Sequence, residues 1–506
     1  MENVKWYRIS DFDSERGDIK LIWEASRFTH FYYFARAYML TENVKYYKAF
    51  SEQLNDWLKK NQYSYGANYK CGQECALRMI NTLKMYSVFK AYGLCDENVN
   101  MNVIELVSRC YRKILSNFFY AYKCIKNNHT LSELCGMIIG AWCCEDNLTL
   151  QKSYRLFNSE IEKQFTTDGG YRQFSFNYQR FALQICEYVM SLSSVTGISL
   201  SNTSLERIKK SALLMYQCQS ESGDLPNYGS NDGALIFPVT CCGYRDFRPV
   251  INTIYALTNG KRIYQAGAYD EELIWFGCND VESHNEIRES SGFSEAGLYT
   301  LRNTDSYAMI CLNNYTSRPA HMDQLHFDLW YKSQNIICDC GTYSYASELG
   351  EKLVLTESHN TLKAANNEQM NKHGNFMICN WTKAVGINKA LNKFEGTAIS
   401  QNGYSHKRFV ELSENEYTIT DEFDGSDDYE ILFHTPFVLS VNGNTASLTD
   451  RNTILCTLEC KDCCMYTSKG YRSLYYLTCD EISVLHIKSI NKKTTVKIRL
   501  GVNAHD

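Results

Sequence analysis

No run of about 18 apolar residues occurs in the 506-residue chain, so no segment reads as a membrane span. Its start, MENVKWYRISDFDSERGDIK, lacks the basic-then-apolar order of a secretory leader, and the sequence as given reads as cytoplasmic. Prolines number only 5, and neither a low-complexity segment nor a repeat interrupts a composition that is 44% apolar and 22% charged. Such a chain is a soluble globular protein, long enough for two or three domains. A basic excess is missing: 52 Lys and Arg stand against 57 Asp and Glu, for a net charge of -5. That argues against nucleic acid as a partner and gives no general attraction to an acidic polymer, so an anionic ligand must be held by local charge. A glycine-rich nucleotide loop, HExxH and GxSxG are absent as well. No convincing Asp/Glu pair for glycoside hydrolysis stands out.

What the chain has in plenty is tyrosine (37) and cysteine (22). The cysteines, including the adjacent pairs Cys143-Cys144, Cys241-Cys242 and Cys463-Cys464, sit mostly in apolar helix or strand patterns and read as reduced core residues. From Asp18 to about Gly260 apolar residues recur at spacings of three and four, as in Ile19, Ile22 and Trp23, then Phe31, Phe34, Ala35 and Tyr38. Amphipathic segments follow at roughly 43–60, 71–93, 99–126, 131–143, 147–165, 174–194, 203–219 and 248–259, with short polar breaks that make neighbours antiparallel hairpins. Periodicity alone fits a closed toroid and an open solenoid equally. The pattern decays over 261–295, with pieces such as NDVESHNEIRESSG, and is then replaced by alternation: FSEAGLYTLR, TKAVGI, RFVELS, YTITDEF, YEILFHTPF and TTVKIRL, broken by NG, DG and KG turns. The expected organisation is a helical domain (1–260), a linker (261–295) and an antiparallel β-sandwich (296–506).

Four stretches carry candidate chemistry. In RPAHMDQLHFDLWYKSQNIICDCGTYSYASELGEKLVLTESHNTL, residues 318–362, His321, Asp339 and His359 fall on successive strands and turns. Two imidazoles and a carboxylate converging from a sheet suit zinc; separate strand-end residues bonding in turns are the other reading. His326, five residues from His321, would face the opposite side of a strand. In NNHTLSELCGMIIG (127–140), Thr130 and Glu133 read as a capping box that starts a helix at Leu131 and leaves Asn128 and His129 beside its unpaired amides, a place to hold a carboxylate or merely a cap. In DGGYRQFSFNYQRFAL (168–183), Gly169 and Gly170 make a turn before a helix bearing Ser175 and Tyr178. In GDLPNYGSNDGA (223–234), Asn227, Asn231 and Asp232 would contact sugar hydroxyls or simply shape turns. Arg318, Arg172 and Arg180 are candidates to hold an acidic group, with surface or ion-pair roles equally open. Trp23, Glu24, Arg27, Glu74 and Arg78 are expected in buried ion pairs, and the thiols of CTLECKDCC (456–464) in strand cores rather than a second zinc site.

The order HMDQLHFDLW, then DCGTYSY, then HNT resembles the heparinase II/III-like polysaccharide lyases, and the resemblance covers most of the chain from about Asp18. It implies an incomplete (α/α) toroid followed by a β-sandwich, with the active cleft between them. It also implies a structural zinc at His321, Asp339 and His359, a catalytic Asn128-His129 pair and a catalytic Tyr178. The activity implied is β-elimination on an acidic, uronic-acid-containing polysaccharide, in capsule or exopolysaccharide metabolism. A non-catalytic carbohydrate-binding or polysaccharide-assembly protein is the rival reading. Two departures from the pattern motivate it: Gln179 follows Tyr178 where the family has His, and Pro319 stands where several members carry a further His; Gln173, standing where an acidic residue is common, bears with Gln179 on the choice of substrate. His284 is a weak substitute for that imidazole. A polysaccharide substrate also sits more naturally outside a cytoplasm.

Overall fold

Two kinds of helix alternate through the first half of the chain. Gly72–Ala91, Asn128–Cys143, Phe176–Thr196 and Arg248–Asn259 bury most of their residues, whereas Lys45–Lys60, Glu97–Tyr120, Asn147–Gln164 and Asn202–Gln217 bury fewer than half. A helix apolar nearly all round needs neighbours on every side; an amphipathic one needs them only on its inner face. The first set therefore forms the inner ring and the second the outer ring of an incomplete (α/α) toroid. Asn128–Cys143 is the most enclosed, touching Gly72–Ala91, Glu97–Tyr120, Asn147–Gln164 and Phe176–Thr196. Gly140 permits this, since a Cβ there would lie 2.2 Å from the Tyr111 ring. The observed helices match the expected segments to within about three residues, once the π-helical turn Ala121–Ile125 that continues Glu97–Tyr120 is counted. The stretch 261–295 departs from expectation: a short helix, Glu271–Trp275, packs against Arg248–Asn259, so part of the expected linker is folded onto the toroid.

The structure is a computed structural model describing residues 4–13, 17–279, 281–284, 286–374, 376–426, 428–489 and 491–501. Asp280 and Asn285, within the expected loop NDVESHNEIRESSG, lie outside the described residues, as do Met1–Asn3 and Ser14–Arg16 of the N-terminal stretch. Among the described residues no helix is long and apolar enough to cross a membrane.

The second half is antiparallel sheet. A five-stranded meander runs from Gly292–Phe293 to Gln334–Ile337. An eight-stranded sheet spans from Lys383–Ala390 at one edge to Val438–Asn442 at the other, and a four-stranded sheet centres on Thr478–Ser489 and Tyr429–Thr435. Alternation sets the layers: along Tyr404–Ser413 every second residue is buried, and in register beside it so is every second residue of Glu416–Asp424. These inner faces share one core, which includes Phe327, Leu329, Phe394, Ile419 and Ile487, separate from the toroid's. All 22 cysteines are free thiols.

Candidate active site

The N-terminal ends of three inner helices, Gly72–Ala91, Asn128–Cys143 and Phe176–Thr196, open onto one cavity of about 590 Å³. It is lined by Gln73, Asn128, His129, Tyr178 and Asp232 from the helical half and by Arg318, Pro319 and Tyr345 from the sheet half. Helix N-termini carry unpaired amides and the positive end of the macrodipole, so this wall favours anions before any side chain is counted.

The helix bearing Asn128 starts earlier than its capping pattern implied. Asn127 is the cap, its side chain accepting the His129 N–H at 3.0 Å, and helix begins at Asn128. Thr130 instead donates to the Ala121 carbonyl, and Glu133 turns toward the neighbouring helix at Gly72. Asn128 and His129 thus occupy the first turn. The Asn128 amide donates to Gln73 Oε1 (2.8 Å), while its backbone N–H donates to Gln173 (3.1 Å), so the two glutamines hold it. His129 Nδ1 lies 3.5 Å from Cys71 Sγ. Burial lowers the His129 pKa, against the pull of Glu74.

Ser175 caps the helix of Tyr178, accepting the Tyr178 N–H. The Tyr178 hydroxyl lies 3.1 Å from that of Tyr345, contributed across the cleft by the sheet half. Burial, with Asp232 and Tyr345 alongside, raises the Tyr178 phenol well above its ordinary value. Tyr345 lies inside the DCGTYSY stretch, but nothing in the sequence distinguishes it from Tyr343.

Other candidates separate. Asp232 lines the cavity while accepting from Asn177 and the Ala234 N–H. Arg318 is exposed on the rim beside the Phe376 ring, 5.5 Å away, and no carboxylate pairs with it among the described residues. Asn227 and Asn231 do not line the cavity: their amides donate to the Ser473 and Leu474 carbonyls, fastening the toroid to the sheets. Arg180 is buried against Tyr244 and Asn177, away from the cavity, whereas Arg172 lines it and bonds Thr316. Gln179 donates to Gly169 and Ser211, so its departure from the family pattern is remote from the cleft. Arg27 and Glu74 form the expected ion pair, with both bonds at 2.7 Å, on the cavity floor. Among the described residues Arg78 has no ion-pair partner and instead bonds the Ser26 carbonyl over the Trp57 ring. His284 stacks on Tyr255, outside the cavity.

Behind Pro319 and Ala320, His321, Asp339 and His359 converge with ligand atoms within 4.8 Å of one another, all buried. His359 Nδ1 sits 2.8 Å from Asp339 Oδ2. Burial opposes a charge on His359, but the Asp339 carboxylate outweighs it and raises the pKa; burial drives His321 down to about 3, leaving a neutral ring. Among the described residues, both ring nitrogens of His321 and Nε2 of His359 find no hydrogen-bond partner. The neutral His321 ring with both nitrogens unpartnered, the open Nε2 of His359 and the Asp339 carboxylate form a donor set that suits a divalent metal. The expected face of His326 is corrected: Leu325 has φ +59 and the strand begins only at Phe327, so strand alternation does not apply. His326 Nδ1 accepts the Asn360 N–H at 3.0 Å and lies 3.7 Å from Asp339. Asn360, the middle of HNT, also donates to the Phe327 and Cys338 carbonyls and accepts from His434. Arg408, paired to Asp421, donates to the carbonyls of Leu325 and Asn360. The strands around the ligands are thereby tied together by side chains with no ligating role.

Family comparison fits this arrangement in both halves. Residues 2–233 match the heparinase II/III N-terminus and residues 286–501 the heparinase II/III-like C-terminal region. The chain belongs to the heparinase II/III-like family. A heparin-sulfate lyase of Bacteroides stercoris is 24% identical over 456 residues, covering 82% of this chain; the chain spans 64% of that relative's length. Two heparinase III structures share the fold. One has TM-score 0.69 at 19% identity, covering 100% of this chain and 82% of its own; the other has TM-score 0.72 at 15% identity, covering 95% and 77%.

Proposed function

We propose that the protein is a polysaccharide lyase that cleaves a uronic-acid-containing polysaccharide by β-elimination. The observation that carries this reading is the placement of Asn128, His129 and Tyr178 around one cavity at the converging ends of three inner helices. Elimination removes the C5 proton, α to the uronate carboxylate, and expels the C4 oxygen. The carboxylate must be neutralised first, because the enolate otherwise carries an extra full charge. Asn128 is held for that by Gln73 and Gln173, and His129 stands next to it in the same helical turn. Tyr178, whose raised pKa keeps its proton at neutral pH, donates to the leaving oxygen. For the epimer whose C5 proton lies on the face of O4, Tyr178 serves as the base instead: it enters as the phenolate, takes the C5 proton and passes that same proton to O4; for the opposite face His129 is the base. Arg318 and Asp232 bind the sugar, Arg318 through its acidic groups.

The substrate class follows the relatives named for heparin sulfate: an acidic glycosaminoglycan-like polymer, in the setting of capsule or exopolysaccharide metabolism. Residues 1–260, 261–295 and 296–506 are the proposed domain division. His321, Asp339 and His359 would hold zinc. Bound there, it cross-links strand and loop ends behind the cleft wall and takes no part in proton transfer.

Pro319 favours a second reading, a carbohydrate-binding or assembly protein without turnover, since the sheet wall offers no imidazole at that position. Incubating the protein with heparan sulfate, heparin, hyaluronan, chondroitin and alginate, while following ultraviolet absorbance of the new conjugated double bond, separates the two. The lyase reading predicts a rise on at least one polymer. Binding without any rise favours the second reading.

A further inference from the structure

A second group of potential ligands lies in the toroid itself. Cys71 caps the helix Gly72–Ala91, and His129 and Glu133 lie four residues apart on one face of Asn128–Cys143. Ligand atoms of the three lie within 4.8 Å of one another. The Cys71 Sγ to His129 Nδ1 distance is 3.5 Å. A tetrahedral zinc with ordinary bonds to sulfur and imidazole separates those two atoms by about 3.5 Å. Glu133 is wholly buried; Asn117 donates to one of its oxygens at 3.0 Å, and the other has no partner. The carboxylate fits only because residue 72 is glycine, where a Cβ would lie 2.4 Å from Glu133 Cδ. Lys113, the nearby cation, lies over the Trp6 ring and reaches toward Asn117 rather than pairing with Glu133.

We propose that Cys71, His129 and Glu133 form a second metal site, which takes a thiophilic divalent cation such as Zn2+. On binding, the Cys71 thiol proton and the proton that burial favours on Glu133 leave to solvent, and thiolate and carboxylate together balance the ion's charge. The fourth position is left to water or ligand, the pattern of an open site. The consequence for His129 rests on the lyase reading. With Nδ1 on the metal, the proton of the neutral ring resides on Nε2, so His129 donates a hydrogen bond to the uronate, and its role as base on the opposite face holds only for the metal-free site. Proton transfer then falls to the tyrosines.

The test needs no substrate, so its failure is independent of the lyase assignment. Chelator-stripped full-length protein is titrated with Co2+, reading stoichiometry and the near-ultraviolet thiolate-to-cobalt charge-transfer band. The His321 site contains no sulfur and cannot produce that band. Wild type is expected to bind two equivalents and show the band; Cys71→Ser loses the band and one equivalent; His359→Ala loses an equivalent and keeps the band. Absence of the band from wild type, or its persistence in Cys71→Ser, overturns the proposal. The wild-type spectrum alone decides the first of these, whatever the folding of the variants.

Discussion

At the scale of single residues, the site is a set of groups whose protonation is set by burial. Tyr178 keeps its proton because its phenolate would be desolvated beside Asp232 and Tyr345. Tyr178→Phe should therefore lower kcat by about 10²–10⁴-fold with little change in KM. Asn128→Ala should cost about 10²–10³-fold, as loss of an oxyanion-type donor does. Steady-state kinetics on a cleaved polymer checks both. Elsewhere, burial pushes the Glu272 carboxyl up to about 8, against a hydrogen bond from the neighbouring buried Glu187 and the pull of Arg180 and Lys84. A carboxyl raised on folding favours the native state below its unfolded pKa of about 4.5, and that contribution is lost as pH climbs toward 8. Glu272→Gln should thus raise the thermal midpoint relative to wild type at pH 8.5 and narrow that difference at pH 5, read by thermal scans at both values. Asn128, His129 and Tyr178, which line the cavity, were singled out through the family resemblance, since the local patterns at their helix starts fit a cap or a packing residue as well. Tyr345 and Gln73 were not, because their roles exist only once residues 167 and 55 positions away come alongside.

At the scale of elements, hydrophobic periodicity carried most of the helical half, since each segment of three- and four-residue spacing became one helix. The helix start at Asn128 escaped it: Thr130 and Glu133 have the spacing of a capping box, but Asn127 caps first and tertiary contacts claim the other two. His326 was misplaced for a similar reason, because a turn ahead of the strand breaks alternation. The motif HNT owes its middle residue to packing. Asn360→Ala would leave the Phe327 and Cys338 carbonyls and the His434 N–H and ring nitrogen without their buried partner, and should destabilise the fold by about 2–4 kcal/mol, measured by chemical denaturation. Gly341 has φ +79, and a Cβ there would lie 2.2 Å from Asn227 Nδ2 and 2.3 Å from the Ser473 carbonyl. Gly341→Ala should accordingly loosen the seam between toroid and sheets, seen as faster proteolysis around Asn227 and a lower thermal midpoint.

At the scale of the whole molecule, the toroid brings helix N-termini to one cavity, and the sheets close it with Arg318, Pro319 and Tyr345, backed by the His321, Asp339 and His359 cluster. Removing metal with a chelator should lower the thermal midpoint, and His359→Ala should abolish part of that effect, because an ion that binds only the folded state stabilises it and His359 is one of the proposed ligands. The cleft as a meeting of two domains was legible only through resemblance, since periodicity assigned helices and strands without saying how they close. The central claim is elimination at a uronic acid. Mass spectrometry of the products tests it most directly: the account predicts new non-reducing ends lighter by one water than those of hydrolysis, formed by wild type and nearly lost in Tyr178→Phe. Hydrated ends, or unsaturated ends formed as fast by Tyr178→Phe as by wild type, would contradict it.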